Sequence, residues 1–474
     1  MSRLLFGHDN PRILRHPAAV ATSSTKTDLL AGPIIPTLVR LASPNVLGLL
    51  AQTLTIGYDG YIVAQLGTAA LAAVALVFPL SMLMVQLSRA AMGGGVSSAV
   101  ARALGGGARE QAASVAWHGM LIELGLGVII GAALLAAGAS LYTAMGARGE
   151  TLQLAQSYAL PLFAGAAATW LHNGLASVHV GSGNMRRPAF CLIASALAHV
   201  VLCPVLVFGS GPVPALGITG ASLSFVLLNA IFAGVLAWPL LKGNAALRLR
   251  RVPLRRAAFR EVLRVGLPAS VSPFISNGNV IVLTGYAGTF GTATLAGYGI
   301  GARLEYLLIP LVFGFGAALL AMVGRNIGAG QQARAARIAW KGSLFVAAIT
   351  GAIGLLLAAF PDLWTRWFVA DASDPVRVAA NLYLRIVGAF YGPFGFGLAF
   401  FFASQGAGRL TWPLAGSFGR LAIALAGGAI AVAWHSLTAL YVVIGVSFLI
   451  YALVPGIAFR LGAWASDSAA PPRG

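Results

Sequence analysis

Between residues 36 and 461 the chain is a succession of long apolar runs separated by short segments of Gly, Pro and basic residues. Twelve runs can be drawn, over 36–64, 68–100, 111–138, 152–180, 188–208, 217–241, 261–288, 292–324, 335–359, 377–403, 412–434 and 437–461. Each reaches the ~20 residues that a helix needs to cross the hydrocarbon core of a bilayer. Leu121–Ala137 and Ser343–Phe360 are nearly free of charge. A transmembrane β-barrel would instead show alternation over segments of about ten residues, and no such alternation is present. The pattern predicts an all-α membrane protein of about twelve transmembrane helices.

The runs repeat. When the second half is laid over the first, Arg40–Pro44 falls on Arg264–Pro268, and without any gap Gly67-Thr68-Ala69 falls on Gly291-Thr292-Ala293. After a slip of one residue, Arg102, Gly105 and Gly107 meet Arg325, Gly328 and Gly330, and Ala116-Trp117 meets Ala339-Trp340. A chain rich in Ala and Gly matches itself by chance at many points, but not with Arg, Pro and Trp in order. Six spans per copy is an even number, so both halves keep one orientation and relate by a pseudo-two-fold axis along the membrane normal. The expected organisation is an N-terminal tail 1–35, a six-helix bundle 36–241, a basic linker 242–260, a second six-helix bundle 261–461 and a C-terminal tail 462–474. A cavity between two such bundles can be exposed alternately to either side.

Composition agrees: of 474 residues 58% are hydrophobic and 9% charged, and mean hydropathy is +0.85. The 59 glycines suit helices whose backbones approach closely in lipid. The net charge of +19 could point to nucleic acid, but the basic residues sit in alternate loops, at Arg102/Arg109, Arg186/Arg187, Lys242–Arg264, Arg325–Lys341 and Arg409. The intervening loops hold only Arg148, Arg366 and Arg377. That is the positive-inside distribution. It predicts a multi-pass protein of the inner (plasma) membrane with both termini cytoplasmic, a lipid-bilayer environment and no nucleic-acid partner. The polar first 35 residues lack an apolar stretch of signal-peptide type and read as a cytoplasmic tail with a short lead-in near Leu29–Ile35. Cys191 and Cys203 are too far apart along one helix, roughly 18 Å, to form a disulfide.

Several segments resemble the multidrug and toxic compound extrusion (MATE) transporters. "RLASPNVLGLLAQTLTIGYDGYIVAQLGTAALAAVAL" is similar to that family's first helix, with a Pro early and an Asp late. "ARALGGGAREQA" and "VGRNIGAGQQARAARIAW" look like its Gly-rich turns after helices two and eight, and "PALGITGASLS" like the start of helix six. The likeness covers residues 33–461 and implies two six-helix bundles in a V, exporting drugs or metabolites in exchange for H⁺ or Na⁺. Two features depart from it. Where the family often has an Asn and an Asp four residues apart on helix five, facing the first-helix Asp, "ASALAHVVLCPVLVFG" places His199 and Cys203. Where some members carry a carboxylate on helix seven, "SPFISNGNVIVL" offers Ser276, Asn277 and Asn279.

Apart from Glu261 at the very edge of its run, only three carboxylates lie within spans: Asp59, Glu123 and Glu305. Such residues are costly in hydrocarbon and are functional candidates by default. Asp59 lies late in its helix, where the helix dipole disfavours a negative charge. Its repeat counterpart is Leu283, so the scaffold does not require an acid there. The expected cation-coupling set is Asp59, His199, Cys203 and Glu305, with His199 chosen because histidine titrates near physiological pH. Against this stand plain structural readings: a snorkelling acid, a packing His, a small apolar Cys. Arg303 and Glu305 are two positions apart and so face different ways, each needing another partner. Glu123 reads as structural or partly hydrated, with Arg89, Arg385 and Arg420 as basic residues in or near spans that could serve it. Tyr58, Tyr61, Tyr298 and Tyr306 offer ring faces to an organic cation and, with Asn277 and Asn279, form the expected substrate-binding set.

No phosphate-binding G-x-x-x-x-G-K-[ST] loop, Cys/His metal spacing or Ser-His-Asp set occurs, so no enzyme, resident cofactor or metal is expected. The expected function is a monomeric secondary transporter that exports small organic compounds, cationic or amphipathic, with H⁺ or Na⁺ as coupling ion. The alternative is a flippase for lipid-linked precursors, which would need more cationic groups in its cavity.

Overall fold

A computed structural model describes residues 29–464. It is helical almost throughout, and among the described residues the only β feature is an isolated bridge between Ser210 and Val213. Twelve long helices run in order: α1 Ile34–Ala64, α2 Thr68–Gly105, α3 Arg109–Ala144, α4 Gly149–Gly181, α5 Arg186–Phe208, α6 Ile218–Lys242, α7 Arg256–Thr289, α8 Thr292–Gly328, α9 Gln332–Ala359, α10 Pro375–Ala407, α11 Thr411–Ala433 and α12 Leu437–Arg460. Ten are long and apolar enough to cross a membrane. The exceptions have evident causes: α4 is interrupted at Gly165, and α7 opens with three arginines and a glutamate before a Ser- and Asn-rich middle. Side chains such as Leu197 and Ile281 are 67% and 71% exposed. An apolar girdle of this kind is a surface for lipid.

Helices α1–α6 and α7–α12 form two lobes, and the repeat read from the sequence is visible in the backbone. Helix α2 starts after Gly67 at φ 103°, ψ 169°, and α8 after Gly291 at φ 105°, ψ 167°. Both conformations are closed to side-chain-bearing residues and open to glycine. The lobes meet at the other ends of these helices. A Cβ on Gly105 would fall 2.1 Å from the Arg325 carbonyl oxygen, and one on Gly328 would fall 1.9 Å from that of Arg102. The contact is reciprocal, as a two-fold relation between α2 and α8 demands.

The single-residue slip also has a structural cause. Helix α2 spans 38 residues and α8 spans 37. The extra residue is taken up in a π-helical stretch, Leu87–Met92, while α8 is α-helical throughout. One wide turn of this type absorbs one added residue.

Around the α2–α8 contact lie the other ties between lobes. Ser98 donates to the Gln405 carbonyl at 2.6 Å, Arg325 to the Ser182 carbonyl at 3.0 Å, and Arg102 pairs with Glu261 at 3.4 Å. The lead-in to α1 joins them, because Leu29 is buried and its carbonyl accepts from Asn326 at 2.9 Å. The Gly32 carbonyl likewise accepts from Arg334. The basic segment after α6 is pinned along α3: Arg250 pairs with Glu110 at 3.0 Å, and the Arg255 amide donates to His118 Nε2 at 2.9 Å. Two of the three arginines outside the basic loops have local structural work. Arg148 donates to the Thr143 carbonyl at the end of α3 and to the Ala147 carbonyl in the loop beyond, and Arg377 binds Asp362 and two loop carbonyls. The expected tails fall largely outside the described residues, in 1–28 and 465–474.

Candidate functional site

Within the first lobe, the fold gathers residues from three helices. Asp59 comes from α1, His199 and Cys203 from successive turns of α5, and Ser224 from α6. His199 Nε2 stands 2.5 Å from Asp59 Oδ1, and its Nδ1 lies 3.2 Å from Ser224 Oγ. Cys203 Sγ approaches the same carboxylate oxygen at 3.8 Å. The His199 and Cys203 side chains are buried, while that of Asp59 keeps 28% of its surface accessible. One ligand atom from each of Asp59, His199 and Cys203 fits within a 4.8 Å cluster, a set that could hold a cation. Metal-ligand spacing in the sequence does not reveal it, because the acid comes from the first helix and the other two ligands from the fifth. Close approach of α1 to α5 makes the cluster possible: a Cβ on Gly48 would meet Ala189 and Leu192 at 3.2 Å.

Asp59 and His199 border a cavity that continues along α1, α2, α4 and α6 to Gln52, Arg89, His172 and Asn229. A second cavity, against α8 and α10 of the other lobe, shares Arg89, His172 and Asn173 with the first. Arg89 donates to Gln52 Oε1 at 2.7 Å. Behind it, Asn173 donates to Ser88, which donates to Glu123, each at 3.2 Å. Glu123 is wholly buried and its described partner is this serine. Arg420 belongs elsewhere, lying over the rings of Phe394, Phe448 and Tyr451.

Glu305 occupies the second lobe, apart from Asp59. It accepts a hydrogen bond from Tyr383, whose ring makes edge contacts with Tyr298 and Tyr441 at 5.6 and 5.2 Å. Arg303 turns away from it to lie 5.5 Å over Phe368, as their spacing requires. The structure thus separates the four expected coupling residues into a cluster of three and one distant carboxylate.

None of the expected substrate-binding residues lines either cavity. Tyr58 donates to the Val200 carbonyl at 2.9 Å, beside the Asp59 cluster. Tyr61 and Tyr306 are exposed and Tyr298 is buried in the tyrosine group. Asn277 and Asn279 donate to carbonyls one turn back in α7. Of the polar cavity residues, Arg89 was read from the sequence only as a basic residue that could serve Glu123, and Gln52, His172, Asn173 and Asn229 were left unassigned. Arg89 showed two signals, its charge within a span and the slip between repeats somewhere in the same helix.

Twelve helices in two lobes related by a pseudo-two-fold axis, with polar cavities between lipid-facing walls, define a polytopic membrane transporter. The chain belongs to the MATE family: the MatE family model matches residues 44–205 and again residues 268–430, the two matches opening on Pro44 and Pro268, a pair that the repeat superposes. It is 28% identical to an FAD transporter of Shewanella oneidensis over 78% of this chain and 82% of that protein. It is 25% identical to a probable multidrug resistance protein NorM of Thermotoga maritima over 65% of each chain. Among solved structures, an outward-facing multidrug resistance MATE transporter aligns with a TM-score of 0.86 at 27% identity, covering 94% of this chain and 99% of that one. A MOP superfamily transporter from Pyrococcus furiosus gives 0.85 at 27% identity, covering 93% and 98%. Members of this family are transporters rather than enzymes.

Proposed function

We propose that the chain exports small organic compounds from the cytoplasm, driven by a cation that enters at the Asp59–His199–Cys203 cluster. The observation that carries this reading is the 2.5 Å contact between His199 and Asp59 at the edge of a cavity reaching the lobe interface. A carboxylate with partial access to that cavity can take up a cation, and a buried imidazole beside it can share a proton. The lobes then rock about the α2–α8 contact, opening the cavity to alternate sides. The basic loops face the cytoplasm and both termini lie there. The relatives' names offer drugs and FAD as compounds for trial.

The test is substrate efflux in reconstituted vesicles under separately imposed pH and Na⁺ gradients. Asp59→Asn is expected to abolish gradient-driven accumulation while leaving a folded protein that still binds substrate. Wild-type accumulation by Asp59→Asn would overturn the assignment, and the gradient that drives wild-type transport names the ion.

A further inference from the structure

The two cavities meet at Arg89, while the other enclosed arginines, Arg102, Arg325, Arg377 and Arg420, line neither. Arg102 has Glu261, Arg325 has the Ser182 carbonyl, Arg377 has Asp362 and two carbonyls, and Arg420 has three aromatic faces. The described hydrogen bond of Arg89 goes to the neutral amide of Gln52. That bond occupies one of five guanidinium N–H groups. No carboxylate stands within ion-pair distance of Arg89 among the described residues. Nearby, His172 is buried with an unpartnered Nδ1 and lines both cavities.

The backbone at this point is also particular to the first lobe. Arg89 sits in the π-helical stretch Leu87–Met92, where α2 carries one residue more than α8, and its counterpart in the second lobe is the apolar Phe313 or Val312. A scaffold role shared by both lobes would not need this turn or this side chain. Wide turns of this type often re-aim a residue at a functional site. Gln52 holds the guanidinium at the junction, leaving its other donors to the cavities.

We propose that Arg89 recognises an anionic group of the transported compound, so that the substrate is a small organic acid or phosphate ester, or a zwitterion carrying one of these groups. This rests on the transporter reading above and names its substrate class, in place of the organic cation expected from the tyrosines. A planar guanidinium pairs with carboxylate or phosphate through two parallel hydrogen bonds, and does so strongly where water is scarce. Asp59 does not cancel this charge locally: it lies two turns beyond Gln52, about 10 Å along α1. The cavity therefore has an acid end and a basic end, with His172, Asn173 and Asn229 completing the polar lining of the latter.

The test is equilibrium binding to the purified full-length protein, with no gradient, by fluorescence anisotropy. The probes are fluorescein (carboxylate), flavin mononucleotide (phosphate), riboflavin (the same ring without phosphate) and ethidium (cation). Wild-type protein is expected to bind fluorescein or flavin mononucleotide at least tenfold more tightly than ethidium, and flavin mononucleotide more tightly than riboflavin if phosphate is the preferred group. Arg89→Gln should remove that preference while ethidium binding stays or improves, and Arg89→Lys should retain part of it. Equal binding of anions by Arg89→Gln and wild type, a wild-type preference for ethidium, or no binding of either anion would overturn the proposal. Should Arg89→Gln fail to fold, the wild-type ranking and Arg89→Lys still decide. Because no ion gradient enters, loss of coupled transport in the vesicle experiment leaves this result standing.

Discussion

His199 bridges two helices: its Nε2 stands 2.5 Å from Asp59 Oδ1 on α1, and its Nδ1 lies 3.2 Å from Ser224 Oγ on α6. Asparagine keeps a hydrogen-bonding side chain but has no ring proton to share. His199→Asn is therefore expected to retain transport with an altered pH profile. Initial efflux rates across a pH series in vesicles give the answer. An unchanged profile would assign His199 to packing alone.

Glu305 accepts from Tyr383 inside a group of tyrosines. Glu305→Gln preserves the shape and one acceptor while removing the charge. The expected outcome is near-normal accumulation with transport reduced several-fold or its pH optimum moved. Tyr383→Phe should reproduce part of the effect. If Glu305→Gln instead fails to accumulate while the surviving molecules transport normally, the carboxylate serves the fold.

The reciprocal contact of Gly105 and Gly328 with the facing Arg325 and Arg102 carbonyls leaves no room for a methyl group. Gly328→Ala forces α2 and α8 apart. An overpacked contact of this kind costs typically about 1–3 kcal/mol, so the melting temperature should fall by several degrees and transport should slow. Gly125→Ala on α3, where a Cβ meets nothing within 4 Å, is the control and should behave as wild type.

The segment after α6 carries Arg248, Arg250, Arg251, Arg255 and Arg256. In a variant with Cys191 and Cys203 replaced by Ser, a cysteine introduced by Arg251→Cys should resist a membrane-impermeant maleimide added to intact cells and react after lysis. Labelling in intact cells would reverse the orientation.

Between α9 and α10, hydrogen bonds from Arg377 and then Asn381 hold the exposed Asp362 carboxyl below its usual range. A carboxyl whose folded value is depressed contributes stability above its unfolded value, ordinarily near 3.9. That contribution is lost as pH falls through the folded value. Arg377→Gln should lower the melting temperature at neutral pH, and the difference from wild type should shrink in acid below about pH 4. A gap that is constant with pH would refute the linkage.

The helices were legible because bilayer crossing imposes one signal, a long apolar run, and the observed ends agree with the runs to within several residues. The two-fold organisation was legible because both halves retain Gly67/Gly291 and Arg102/Arg325 at structurally demanding places. Asp59 and His199 were named one by one, and their meeting was implied by resemblance to a family. Side chains so distant in the chain, on separate apolar helices, show no spacing that periodicity can detect. Arg89 was visible as a charge in a span, but its aim depends on a local change of helix type. Periodic patterns treat that change as an inconvenience of alignment. The tyrosines are ambiguous in sequence for a related reason: in a membrane protein an aromatic side chain is equally at home against lipid, against other rings and in a cavity.

Leu29 and Gly32 precede the first helix, yet their carbonyls are held by Asn326 and Arg334 from the second half of the molecule. Residues 29–32 are thus a latch across the seam at the basic end. Any motion that parts the lobes there must first release it, at about 1 kcal/mol for each hydrogen bond and somewhat more for the charged donor. In the alternating cycle proposed above, such a latch sets a clock as well as a geometry: it lengthens the dwell with that end shut.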